Sequence, residues 1–189
     1  MARTAEGSAT NRAGRIIGIL IILQMVGSSI VNFGLLKASP DSRQVGLAVL
    51  LGLLTTLMLV GVAITAFPIL WQHSRALPLW ILSLAVVSLG ITAVENIGLL
   101  SSAAFRDWAH YMAKIFDGAT NFVFYAALYR SALVPRVLAV FGLIAAPLMI
   151  ASLALPFFGH DVVFPLLAPM GLCQVILALW LLARGFRDQ

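Results

Sequence analysis

Six long apolar runs, separated only by short polar interruptions, decide what this chain can be. They lie at Ile16 to Leu36, Val45 to Leu70, Pro78 to Leu100, Ala109 to Tyr129, Val137 to Leu155 and Val162 to Ala183. Each is close to the roughly 20 residues a helix needs to cross a hydrocarbon core about 30 Å thick. Inside lipid every backbone N–H and C=O must be paired within the segment, so runs of this length are expected as helices. The sequence therefore predicts an all-α fold, a polytopic six-helix transmembrane bundle occupying 16–183. A short segment at 1–15 and a tail at 184–189 flank it.

Composition supports the same conclusion and excludes others. Hydrophobic residues make up 61% of the 189 and charged residues 10%, whereas a soluble domain is about 45–50% apolar and about 25% charged. So few charges cannot solvate the surface of a water-soluble globule, and no nucleic-acid partner is expected. The formal charge of +5 instead serves orientation. Arg3, Arg12, Arg15, Arg75, Arg130, Arg136, Arg184 and Arg187 fall on one side of the alternating spans; Lys37, Arg43, Arg106 and Lys114 fall on the other. By the positive-inside rule both termini are expected in the cytoplasm. The first run follows Arg3, Arg12 and Arg15 like a signal peptide, but its length reads as a signal anchor.

Ionisable groups inside spans are costly, so their placement is informative. Spans one, two, five and six have none; span three has Glu95, and span four has His110, Lys114 and Asp117. Arg106, His110, Lys114, Asp117, Asn121 and Tyr125 follow three- and four-residue steps, which confines them to one stripe of the fourth helix. Span three carries Ser88, Thr92, Glu95 and Asn96, and span one Gln24, Ser28 and Asn32. At 1.5 Å per residue, Asn32, Glu95 and Lys114 lie roughly 6–8 Å below the outer ends of their spans. Ser28, Thr92 and Asp117 follow at about 12 Å, and Gln24, Ser88, Asn121 and Gln174 at about 18 Å. These layers predict an outward-facing polar pocket among helices one, three, four and six. Its candidate ligand-binding residues are Glu95, Lys114, Asp117, Asn121, Asn32, Gln24, Ser28, Thr92, His110 and Gln174. A Glu95–Lys114 ion pair is expected, leaving Asp117 without a cation of its own and His110 solvated at the rim.

Other chemistry has less support. His73 falls on the opposite side from His110 and His160, so no metal cluster is formed, and no cofactor is expected. Cys173 reads as packing. Ser101, Ser102, Asp107 and His110 lack a nucleophile-elbow motif, so no catalytic residue is assigned. Thr55 and Thr56 are expected to bond back to their own helix, and Gly14 and Gly18 to seat a neighbouring helix. Pro78 and Pro135 fit helix starts, whereas Pro147, Pro165 and Pro169 are placed within spans as kinks.

The stretch Leu128-Tyr129-Arg130-Ser131-Ala132-Leu133-Val134-Pro135-Arg136, followed later by Leu177-Ala178-Leu179-Trp180-Leu181-Leu182-Ala183-Arg184-Gly185, resembles the bacterial domain-of-unknown-function 4386 family. These are small multi-helix membrane proteins whose fourth span ends in a Tyr-Arg-Ser-x-x-Val-Pro-Arg type loop. Arg12-Ala13-Gly14 is similar to the family's opening, and Glu95 to its acidic residue on the third span. The family commonly has an arginine one turn earlier; Gly90, Ile91 and Thr92 stand there instead, which leaves Lys114 as the substitute cation. The resemblance implies a multi-pass protein of a bacterial cytoplasmic membrane and brings no known activity.

The leading expectation is non-enzymatic: binding or passage of a small solute, proton or lipid-like ligand in the polar pocket. The alternative is an accessory or structural subunit whose buried polar residues specify helix packing, and a membrane-embedded enzyme is third. Expected partners are membrane lipids, a small-molecule ligand and, on the second reading, another membrane protein.

Overall fold

A computed structural model of the chain describes residues 2–35, 42–101 and 103–187, with side chains described at 9–32, 35, 43–98 and 105–187. The side chains of Arg3, Lys37, Ser101 and Ser102 lie outside the described residues. Six long helices account for nearly all of it: α1 (Ala2–Ser29), α2 (Ser42–Trp71), α3 (Ala76–Ser101), α4 (Ala103–Ser131), α5 (Arg136–Ala154) and α6 (Phe164–Arg184). A π-helical turn, Ile30–Leu35, prolongs α1, and a 3-10 turn, Leu155–Phe158, prolongs α5. No strand is present among the described residues.

The helices pack in chain order, each on the next, and α1 closes the circle against α6. Small residues mark the closest approaches, as expected where packing rather than water drives helix association. A Cβ on Gly18 would stand 2.9 Å from the Ala178 carbonyl oxygen, and one on Gly14 would stand 2.6 Å from the Phe186 backbone nitrogen. The expected small-residue seat on α1 is thus a seat for α6 and its tail. Gly118 meets Ile150 and Gly142 lies directly on the Tyr125 ring, which joins α4 to α5. A Cβ on Gly98 would stand 3.0 Å from the Arg106 backbone, where α3 turns into α4.

The interruption expected at Ser101 to Trp108 is therefore largely helix. Pro165 does not kink a span; it stands in the first turn of α6, where its missing N–H costs nothing. Pro147 and Pro169 do fall inside helices, as does Pro68.

The core is largely apolar with a few buried polar groups, and the exterior is apolar as well, unlike that of a soluble protein. Thr55, Thr56, Ser88, Thr92, Asp117 and Thr120 are buried, while Leu50, Trp80, Ile97, Val137 and Ile144 are among the large apolar side chains facing out. Such a surface needs an apolar solvent. Five helical stretches are long and apolar enough to cross a membrane: Ala9–Asn32, Arg43–Trp71, Ala76–Gly98, Arg136–Phe158 and Phe164–Arg184. The chain is a multi-pass membrane protein. α4 is the exception in composition, because its inward stripe holds most of the charge.

Candidate functional site

Antiparallel succession around the ring gives the molecule two unlike ends. At one, here the mouth, α1 and α3 finish and α2 and α4 begin; at the other, the floor, α4 meets α5 and α6 runs into its tail. The mouth holds a polar cleft lined by Ser28, Val31, Asn32, Ala48, Gly52, Thr55, Thr56, Thr92, Glu95, Asn96, His110 and Lys114, enclosing about 420 Å³ of space that includes its opening.

Two charged pairs organise this cleft. His110 Nδ1 lies 2.8 Å from Glu95 Oε1; with a carboxylate on the other side, Nδ1 is the nitrogen that donates. Lys114 Nζ donates to Asp117 Oδ2 at 2.8 Å, a three-residue spacing that places both groups on one face of α4. The hydroxyl of Ser88 on α3 donates to the other carboxylate oxygen of Asp117. The side chain of Asp117 is 8% exposed, against 26% for Lys114 and 25% for His110. Lys114 and His110 thus meet the cleft, while Asp117 is enclosed behind Lys114.

This pairing corrects the sequence reading. Glu95 and Lys114 do share the mouth, but each takes a different partner. The nearer cation for Asp117 is on its own helix, one turn away, and His110 is not merely solvated because α3 brings Glu95 to it. Depth arithmetic placed all four at one end; it could not choose among partners separated by a single helical turn.

The ten candidate residues divide between two compartments. Ser28, Asn32, Thr92, Glu95, His110 and Lys114 line the mouth cleft. Gln24, Asn121 and Gln174 line a deeper, nearly filled gap of about 10 Å³, with Ile21, Leu59, Val62, Ile81, Thr120 and Phe124. There Gln174 Nε2 donates to Asn121 Oδ1 at 2.6 Å, joining α6 to α4. Asp117 lines neither compartment. The expected wall of helices one, three, four and six is also revised: α2 replaces α6 around the mouth. Asn32 stands in the π-helical turn and spends its amide on the Ser28 carbonyl, 2.9 Å away.

Sequence reasoning missed α2 because its apolar run, Val45 to Leu70, has no ionisable side chain. Thr55 and Thr56 do bond back to the Gly52 carbonyl, at 2.8 and 3.2 Å. Thr56 also reaches Thr92 at 3.4 Å, linking α2 to α3. The available signal was the cluster of small residues at Gly52, Thr55 and Thr56, at helical spacing on an otherwise bulky span. Cys173 is buried, with its sulfur 3.8 Å from the Leu138 carbonyl oxygen, as its packing reading expects.

The floor is closed. Leu133, Val134 and Phe186 are each no more than 2% exposed, and the Arg187 N–H donates to the Leu133 carbonyl at 2.9 Å, fastening the tail across the α4–α5 turn. The stretch that builds this floor, the second half of the ring and α4's charged stripe also carries a family match. Residues 97–185 match the family model described as Domain of unknown function (DUF4386). This match supports the family resemblance carried by the sequence. His110, Lys114, Asp117, Asn121 and Gln174 fall within the DUF4386 match, whereas Gln24, Ser28, Asn32, Thr92, Glu95 and the Arg12-Ala13-Gly14 opening precede it. No curated protein and no solved structure matches the chain.

Proposed function

We propose that this protein binds a small solute at the mouth cleft, and that the cleft opens on the outer face of a bacterial cytoplasmic membrane. The observation that carries this reading is the division of charge. Lys114 is paired with Asp117 at 2.8 Å, so Glu95 is the cleft carboxylate whose direct partner is a histidine. A solute bearing an amine or similar donor matches Glu95, while the ammonium hydrogens of Lys114 not given to Asp117 and the second amide hydrogen of Asn32 offer donors to its other end. The tightly closed floor favours binding over passage.

Six spans with cytoplasmic termini complete the reading. α4 is too polar to be recognised by apolarity, but Trp108 and Tyr129 on it are 47% and 42% exposed. Their 21-residue separation corresponds to about 32 Å of helix, the thickness of a hydrocarbon core between two aromatic belts. α4 can cross because its charges face the ring interior. Reporter fusions at residue 189 and within 37–44 are expected to report opposite sides of the membrane.

The test of the cleft is a thermal-shift screen of small amines and zwitterions on purified wild-type protein and Glu95→Gln. A compound that stabilises the wild type and loses its effect in Glu95→Gln supports the assignment; equal stabilisation of both removes Glu95 from it. A second reading, an accessory subunit using these groups only for packing, is favoured by the complete satisfaction of Asp117 by Ser88 and Lys114. A stoichiometric protein partner retained in mild detergent, with no ligand response, would select it.

A further inference from the structure

At the floor end, the guanidinium carbons of Arg184 and Arg187 both lie 5.6 Å from the centroid of the Trp180 ring. Each is within the reach of a cation–π contact. Two cations sharing one ring are at most about 11 Å apart, little beyond the screening length of about 8 Å in physiological salt, so part of their repulsion survives screening. Neither makes an ion pair among the described residues; Glu6 and Asp188, acidic in the sequence, have side chains outside them.

The arrangement is fixed by the fold. Trp180 and Arg184 are one turn apart on α6, and Arg187 is returned to the same ring because Phe186 is buried and the Arg187 N–H is held by Leu133. Arg130 and Arg136 bracket that α4–α5 turn, which adds positive charge and no carboxylate. Beside it the outer surface is apolar: Val137 is 83% and Leu179 57% exposed.

We propose that Trp180, Arg184 and Arg187 form a site for the headgroup phosphate of an anionic membrane lipid. The two guanidinium groups donate to phosphate oxygens, which relieves their repulsion. The acyl chains lie along the apolar groove between α6 and α1 that Leu179, Val175, Ile22 and Val26 line. General positive-inside orientation needs arginines somewhere on this side of the membrane, but it does not need two of them folded onto one indole. The site is separate from the mouth cleft, and its test does not depend on what the cleft binds.

Native mass spectrometry of the full chain from micelles containing equal phosphatidylglycerol and phosphatidylcholine tests the assignment. One phosphatidylglycerol is expected to be retained preferentially. Arg184→Gln with Arg187→Gln is expected to lower that preference about thirty-fold, from about fivefold per arginine near an anionic surface. Arg75→Gln, at the α2–α3 turn, is expected to leave it unchanged. Replacing both arginines by lysine keeps the charge and removes the planar fork, so an intermediate loss supports a built site; no loss shows diffuse charge attraction and overturns it. An equal fall in Arg75→Gln overturns it in the same way. Adding inorganic phosphate at millimolar concentration is expected to leave the lipid bound, and its displacement would assign the site to a free anion instead. These lysine variants also keep the test decisive if the glutamine pair fails to fold.

Discussion

The two ends of the ring use opposite means to hold the same six helices together. At the mouth, α3 and α4 meet through charged and hydroxyl groups, Glu95 with His110 and Ser88 with Asp117 and Lys114, and a cleft remains between them. At the floor, contact is made by backbone and small residues: Gly14 against the Phe186 nitrogen, Gly18 against the Ala178 carbonyl, and an Arg187 N–H on the Leu133 carbonyl. Glycine contact excludes space, whereas long polar side chains that meet only at their tips leave it. The difference teaches that the side chains used for contact, long polar groups at the mouth and glycines at the floor, decide where room is left for something besides protein.

The sharpest way to break the comparison is to strand a charge at the mouth. Asp117→Leu removes the partner of Lys114 and of the Ser88 hydroxyl, and a buried pair broken on one side costs about 3–5 kcal/mol. Because Lys114 is 26% exposed to the cleft, the lower end of that range is expected. Combining Asp117→Leu with Lys114→Met should recover most of the loss, since an apolar pair leaves no lone charge. Asp117→Asn should fall between. Reversible unfolding in mixed micelles measures all three, and a double variant as unstable as the single would show that the pair is not the unit that matters.

The matching test at the floor is steric. Gly18→Ala places a methyl group 2.9 Å from a backbone oxygen, which cannot move without shifting α6, so a loss of about 1–3 kcal/mol is expected. Gly90→Ala meets nothing within 4 Å; there the alanine should be neutral, or stabilising by up to about 1 kcal/mol through helix propensity. Equal effects at the two positions, read from the same unfolding measurement, would remove the idea that glycine contact closes the α1/α6 seam.

How much of this was legible follows from what each signal measures. Apolar run length located five of the helices, because crossing lipid fixes length independently of packing, while the polar stripe of α4 leaves that helix legible mainly by its three- and four-residue periodicity. Periodicity also put His110, Lys114, Asp117 and Asn121 on one face of α4, because that is a property of one helix alone. Partner choice was not legible: whether Lys114 turns toward Glu95 or Asp117 depends on the rotation of α3 against α4. Nor was the order of packing around the ring, so α2 was left out of the cleft and Gln174 of α6 was assigned to the same pocket as Glu95. The π-helical turn that carries Asn32 left no mark in the apolar run, and Pro165 was assigned to a span because the start of α6 is as apolar as its middle.

Between the two ends, the Gln174–Asn121 bond at 2.6 Å spans the internal gap. Gln174→Leu leaves the Asn121 carbonyl oxygen without that donor. Polar contacts between membrane helices contribute about 0.6 kcal/mol on average and up to about 1.7, and the upper part of that range is expected because the bond is short and enclosed. A double-mutant cycle with Asn121→Leu isolates the term. Coupling near zero would indicate that each amide finds another partner when the first is lost.

The smallest effect expected belongs to the hydroxyl link between α2 and α3, Thr56 to Thr92 at 3.4 Å. Thr56 already returns its hydrogen to the Gly52 carbonyl at 3.2 Å, where the neighbouring Thr55 also donates. Its one hydrogen is therefore shared between an oxygen on its own helix and one on the next. Thr56→Val keeps the shape of the side chain while removing the hydroxyl, and local back-bonding means the helix loses little. A cycle of Thr56→Val and Thr92→Val should give a coupling no larger than the average of about 0.6 kcal/mol for such pairs. Thr92 also lines the mouth cleft, so the same two variants divide its packing role from its place in the cleft. If only Thr92→Val alters the thermal shift produced by a cleft ligand, the mouth surface, not the α2–α3 seam, is what the ligand reads; equal changes in both would transfer the effect to packing and weaken the contrast between open mouth and closed floor.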